Sequence, residues 1–204
     1  MTERDSWVYH TPEYWYTTHI ASSIRKAHPN LSVFLEHNVG DFRSYAGSRA
    51  GRPSGNYRTS GRADITLWKH WKTKNENEAW DAKGIIEVKK AWGWTAKNHG
   101  EDINRLCASL LESGKKSNFT QGKVDVALFV IITDEADKEN QSAKVQLKKR
   151  CFYLEEKIQN YINSKNYAVT VRSKYKLSKY FEEETSMAAA FVFDLTVDKR
   201  KVKK

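Results

Sequence analysis

The chain has 204 residues, 39% of them apolar, and its 35 Lys and Arg against 25 Asp and Glu give a formal net charge of +10. That length suits one domain of ordinary size, expected over residues 1–198, with a core that needs no disulfide staples. No run approaches the roughly 18 apolar residues of a membrane span, and MTERDSW lacks the apolar stretch of a signal peptide. Cys107 and Cys151 are too few and too far apart for a disulfide framework or a Cys-x-x-Cys metal site. The expectation is therefore a cytoplasmic protein with no membrane contact and two buried thiols.

In chain order, the first expected element is a helix from Thr11 to about Ala27, with Thr11 as N-cap, Pro12 at the first helical position and Trp15, Ile20 and Ile24 facing inward. Pro29 stops it. LSVFLEHNV (31–39) reads as a strand. Residues 40–62 hold five of the ten glycines, four serines and Pro53, the composition of a mobile loop. ADITLWKHW (63–71) and GIIEVKKAW (84–92) read as two strands joined by a polar hairpin-like connection. EDINRLCASLLES (101–113) carries Ile103, Leu106, Cys107, Leu110 and Leu111 at helical spacing. VDVALFVIIT (124–133) is apolar enough for a strand buried on both faces. A second long helix is expected over about Gln141–Asn163, then strands at YAVTVRS and MAAAFVFDLTV. The order α-β-β-β-α-β-α-β-β describes an α/β fold with a mixed central sheet flanked by helices.

The excess positive charge is concentrated. Arg43, Arg49, Arg52, Arg58 and Arg62 face only Asp41 within 40–62, and Lys199, Arg200, Lys201, Lys203 and Lys204 form a basic tail over 199–204. Together these segments supply nine of the ten excess charges, a localised field suited to a polyanion. For the tail alone, solvated disorder explains the charge as well.

The chemistry-bearing pattern is Asp64 on one strand and Glu87-Val88-Lys89 on the next. Alternation puts Glu87 and Lys89 on one face, with Ile86 and Val88 on the other, and antiparallel pairing would bring Asp64 beside them. Two carboxylates and an ammonium on one sheet face are costly to bury unless a metal or an ion pair compensates them. E-x-K alone is ordinarily a solvated pair. Its context here, Gly61-Arg62-Ala63-Asp64 opening one strand and Ile85-Ile86 leading into Glu87-Val88-Lys89 before a helix, resembles the PD-(D/E)xK nuclease superfamily over about residues 11–135, with Ala63 in place of the proline.

That resemblance implies a restriction-endonuclease-like core and a Mg²⁺-dependent nuclease, with Mn²⁺ able to substitute. Asp64, Glu87 and the backbone carbonyl of Val88 would hold the metal. Lys89 would orient or help deprotonate the attacking water and neutralise charge on the phosphate. Glu13 would reach the metal through a water, with Glu36 as its alternative. The nucleic acid, DNA in the first instance, would be held by Arg43, Arg49, Arg52, Arg58 and Arg62, and Tyr45 and Tyr57 could stack on exposed bases. The setting would be defence, restriction or repair, as a homodimer or with a complex partner. A non-catalytic nucleic-acid-binding subunit of a larger complex is the competing reading.

Other features read as scaffold. All seven tryptophans lie between Trp7 and Trp94, suited to core and rim packing or to base stacking. No H-x-x-x-H, H-E-x-x-H, Walker A or G-x-G-x-x-G occurs, against a zinc hydrolase or a nucleotide-driven motor. His99 is expected just before the 101–113 helix. Asp102 would open that helix, and Arg105 is a possible phosphate contact.

Overall fold

The computed structural model describes residues 11–45, 61–72, 78–91, 93, 95–113, 123–181 and 185–201. Helix α1 (Glu13–Ala27) leads into strand β1 (Ser32–Asn38), helix α2 (Val39–Tyr45) and strands β2 (Arg62–Lys72) and β3 (Glu78–Lys90). Helix α3 (Ala96–Glu112), strand β4 (Val126–Ala136), helix α4 (Ala143–Ser164) and strands β5 (Val169–Phe181) and β6 (Ser186–Val197) follow. The six strands form one sheet in the order β1-β2-β3-β4-β6-β5. All neighbours are antiparallel except β3 and β4, which run parallel. The chain is thus α/β with a mixed sheet flanked by helices. Among the described residues, no helix is long and apolar enough to cross a membrane.

Alternation along the strands feeds two cores. Ile65, Leu67, Ile86, Val88, Val130 and Ile132 meet Tyr16 and Ala21 of α1. Ile85, Phe129 and Ile131 meet Ile103 and Leu106 of α3 and Leu147, Leu154 and Ile158 of α4 on the other face. β4 is therefore buried on both faces, as its apolar run demands. Cys107 and Cys151 lie buried as free thiols, and burial pushes the pKa of each upward.

Several expectations need correction. Helix α1 starts at Glu13 with Pro12 in the N-cap position. Trp15 is 44% exposed and Tyr16 is buried, because Tyr16, Ile20 and Ile24 keep the i+4 row while Trp15 falls about 100° off it. The segment 40–62 is not loop throughout: residues up to Tyr45 form α2, and Arg62 opens β2. Asn38 caps α2, its Oδ1 accepting from the backbone N–H of Gly40 (2.7 Å) and Asp41 (3.3 Å). Arg43 lies on this helix, whereas Arg49, Arg52, Tyr57 and Arg58 fall outside the described residues, as do Lys203 and Lys204. The expected connection before Gly84 contributes Glu78–Lys83 to β3. Helix α3 begins five residues early because Thr95 caps it, accepting from Asn98 N–H at 3.2 Å.

Gly84 marks a close approach of strands. A Cβ there would lie 2.9 Å from Leu67 Cδ1 and 3.1 Å from Val126 Cβ. Overpacking of this kind costs about 1–3 kcal/mol. Gly84→Ala is expected to lower denaturant stability by that amount, and the loss should shrink in a Leu67→Ala background, where the nearest clash is gone; equal losses in both backgrounds would rule this contact out as the cause.

Candidate active site

The register Ile65–Ile86, extended by one pair, sets Asp64 beside Glu87. The ladder stops there, and the Asp64 carboxylate takes over: its Oδ2 accepts the Val88 N–H at 2.6 Å. Residues in an antiparallel hydrogen-bonded pair send N–H and C=O toward the same neighbour, so the Val88 carbonyl leaves β3 on the Asp64 side.

Glu13 arrives from the first position of α1. Its Oε1 accepts from Lys89 Nζ at 3.2 Å and its Oε2 from the Lys90 N–H at 3.1 Å. A carboxylate at that position also suits the helix dipole. Glu36, the alternative, sits exposed on β1 with φ 51.

Lys89 lies among three carboxylates, with its Nζ also 3.5 Å from Asp64 Oδ2 and 3.9 Å from Asp102 Oδ2. Burial would lower its pKa, but Asp102, Asp64, Glu13 and Glu87 together outweigh burial and raise it to about 12. Lys89 is held as an ammonium by these carboxylates, an arrangement suited to charge neutralisation.

Glu87 is fully buried against α3. Its Oε1 accepts from Arg105 Nε at 2.9 Å, and Arg105 pairs at the same time with Asp102 Oδ1. Burial raises the Glu87 pKa to about 8, against the pull of Arg105. It also raises that of Asp102, against Lys89 and Arg105. Burial acts to lower the pKa of Arg105, but Glu87 and Asp102 outweigh it and leave the value raised. Glu87 Oε2 and Asp102 Oδ2 are both buried without a hydrogen-bond partner among the described residues. Among the described residues, these four carboxylates are met at ion-pair distance by two cations, Lys89 and Arg105. Lys90 Nζ stands nearby and donates to the Thr11 carbonyl at 3.0 Å.

A second buried carboxylate provides contrast. Glu135 on β4 is met by both Arg150 and Lys138, two cations for one carboxylate, as in a structural ion pair.

The structure therefore brings together Glu13, Asp64, Glu87 and Lys89. It adds Asp102 and Arg105, which lie in the second and third turns of α3 instead of opening it. Their i, i+3 spacing was the available signal, but only the docking of α3 on the sheet turns them toward Glu87. His99 is not a loop residue. It is buried in the first turn of α3, in edge contact with Phe129 at 5.9 Å, and burial lowers its pKa. Arg62 is exposed at the start of β2, and a Cβ on the preceding Gly61 would lie 3.8 Å from Arg105 Nη1.

Among the described residues, no three His, Cys, Asp or Glu side chains are arranged to hold a metal ion by themselves. Two carboxylates and a backbone carbonyl are hard oxygen donors of the kind Mg²⁺ takes while keeping several waters. Glu87 Oε2, buried without a hydrogen-bond partner among the described residues, and the gathering of four carboxylates fit a divalent cation. No protein-family model, curated protein or solved structure matches this chain, so the functional reading rests on these residues.

The raised pKa of Glu87 has a consequence for stability. From its ordinary value of 4.5 up to about 8, the folded protein holds a proton that the unfolded chain releases. The associated stability is full below pH 4.5 and is lost as pH rises through 8. Glu87→Gln, which keeps the neutral shape, should unfold near the wild-type temperature at pH 5 and several degrees above it at pH 9 in EDTA. The opposite trend would show that Arg105 keeps Glu87 ionised.

Proposed function

We propose that this chain is a metal-dependent nuclease of the PD-(D/E)xK, restriction-endonuclease-like class, hydrolysing phosphodiester bonds in nucleic acid, foremost DNA. The observation that carries this reading is the shared site at the start of β2 and the end of β3, where four carboxylates meet two cations and buried Glu87 Oε2 has no hydrogen-bond partner among the described residues. The element order, with antiparallel β1-β2-β3 and β4 added parallel after a helix, supports the same class.

In this reading Asp64, Glu87 and the Val88 carbonyl hold Mg²⁺ or Mn²⁺, which when bound supplies Lewis acidity and an acidified water. The remaining work falls to the protein's own groups. Glu13 and Asp64 hold the Lys89 ammonium in place, where it balances charge on the scissile phosphate. Arg105 keeps Glu87 and Asp102 aligned while excluding bulk water from them. Arg62 binds a backbone phosphate beside the site and Arg43, Arg49, Arg52 and Arg58 bind others, contacts that fix the strand without reading its sequence.

The competing reading, a nucleic-acid-binding subunit without turnover, draws on one observation: Arg105 already pairs with Glu87 behind a fully buried carboxylate.

Turnover separates the two. Supercoiled, linear, single-stranded and branched DNA incubated with Mg²⁺ or Mn²⁺ should be cut in at least one form and spared in EDTA. Asp64→Asn and Lys89→Ala should each slow cleavage by on the order of 10²–10³, while affinity measured in Ca²⁺ stays near wild type. Tight binding with no cleavage of any form would favour the binding subunit.

A further inference from the structure

A second site lies on the face of the sheet that carries Glu87. A cavity of about 220 Å³ is lined by Phe34, His37, Asp41, Tyr45, Trp68 and Trp80. Trp68 forms its floor, 3% exposed, with its indole N–H donated to Thr66 Oγ1 at 2.8 Å. Three lining rings stand edge-on to it, with centroids at 6.2 Å (Phe34), 5.1 Å (His37) and 5.3 Å (Tyr45). Phe42 closes it from behind at 5.5 Å. Phe34 and Tyr45 are 40% and 44% exposed, so the cavity opens to solvent between them.

Regular strands would not build this cavity; two irregularities do. Phe34 and His37 are three residues apart and by strict alternation would face opposite ways. The left-handed backbone of Glu36, φ 51, breaks the alternation and sets the two rings 5.7 Å apart. On β3 the pairing passes from Leu67–Gly84 to Trp68–Ala82, and the skipped Lys83 puts Trp80 on the same face as Ile85 and Glu87. A left-handed glutamate costs about 1–2 kcal/mol, a strain that persists where surroundings or function demand it.

We infer that this cavity binds a nucleobase of the substrate strand, unstacked from its neighbours. This inference rests on the nucleic-acid reading given above. A volume of this size takes one base, and aromatic walls supply stacking that every base can use. His37 Nε2 is buried in the wall without a hydrogen-bond partner among the described residues, and it can pair with the edge of a base as donor or acceptor according to its tautomer. An aromatic cage of this kind could also hold a quaternary ammonium, but such a cation makes no use of the imidazole nitrogen.

The position fits. Trp68 lies four residues along β2 from Asp64, about 13 Å, which is a few nucleotides of strand at about 3.4 Å each. Tyr45 lines the cavity, and a Cβ on Gly61 would lie 3.8 Å from Arg105 Nη1 of the first site.

The test uses the full chain in EDTA, so that the result does not depend on cleavage. A 12-residue single strand of dC and dA is compared with an all-abasic strand of the same phosphate count, by fluorescence anisotropy. The base-bearing strand is expected to bind on the order of tenfold tighter and to quench tryptophan emission. Phe34→Ala and Tyr45→Ala, both at exposed rings and each checked for wild-type circular dichroism, should shrink that preference toward equality. Equal binding of the two strands by the wild type overturns the pocket and leaves the nuclease reading standing, as does full preference in both variants. Binding of neither strand overturns both. Quenching by tetramethylammonium at concentrations where deoxycytidine and deoxyadenosine have no effect would make the cavity a cation cage.

Discussion

Glu87 places a carboxylate with no solvent contact at the seam between sheet and helix α3, and the surrounding architecture is arranged around that constraint. Arg105 supplies the hydrogen bond that this buried acid would otherwise lack on Oε1, and an unmade buried hydrogen bond costs about 1–3 kcal/mol. Its guanidinium also carries Asp102, and Asp102 in turn faces Lys89. The sheet contributes Asp64, Glu87 and Lys89, α1 contributes Glu13, and α3 contributes Asp102 and Arg105. Three elements distant in sequence are held in register by one electrostatic network.

The network is unbalanced, and this separates it from ordinary internal ion pairing. Glu135 is met by two cations, Arg150 and Lys138, while among the described residues Glu13, Asp64, Glu87 and Asp102 share Lys89 and Arg105. A fold that gathers more negative charge than it compensates must either protonate a member or bind a cation. Burial drives Glu87 toward protonation; a divalent ion would favour its ionised form. Either way Arg62, exposed at the start of β2 two residues before Asp64, offers a positive charge that can draw a polyanion to carboxylates that would otherwise repel it.

Much of this was legible in the chain, for identifiable reasons. Ile85-Ile86 running into Glu87-Val88-Lys89 fixes which side chains share a face, because strand alternation is strict until a bulge intervenes. The apolar run at 124–133 declares a strand covered on both sides. What escaped reading was local or tertiary. Asn38 and Thr95 start helices earlier than the apolar pattern does, since a cap is a single hydrogen bond and leaves no periodic trace. Trp15 and Tyr16 compete for one inward position, decided by the i+4 row. Glu36 carries no residue-type signal for a left-handed backbone, nor does Lys83 for a bulge, so the meeting of Phe34, His37, Trp68 and Trp80 cannot be foreseen. Asp102 and Arg105 look like an ordinary helix pair until α3 docks.

The central claim, that the charge surplus is matched by a divalent cation, is tested most directly by soaking crystals of the full chain in Mn²⁺ and measuring anomalous scattering at the manganese edge. A peak bounded by Asp64, Glu87 and the Val88 carbonyl is expected, and it should disappear in Asp64→Asn. Absence of a peak under saturating Mn²⁺, with Arg105 still paired to Glu87, would contradict it.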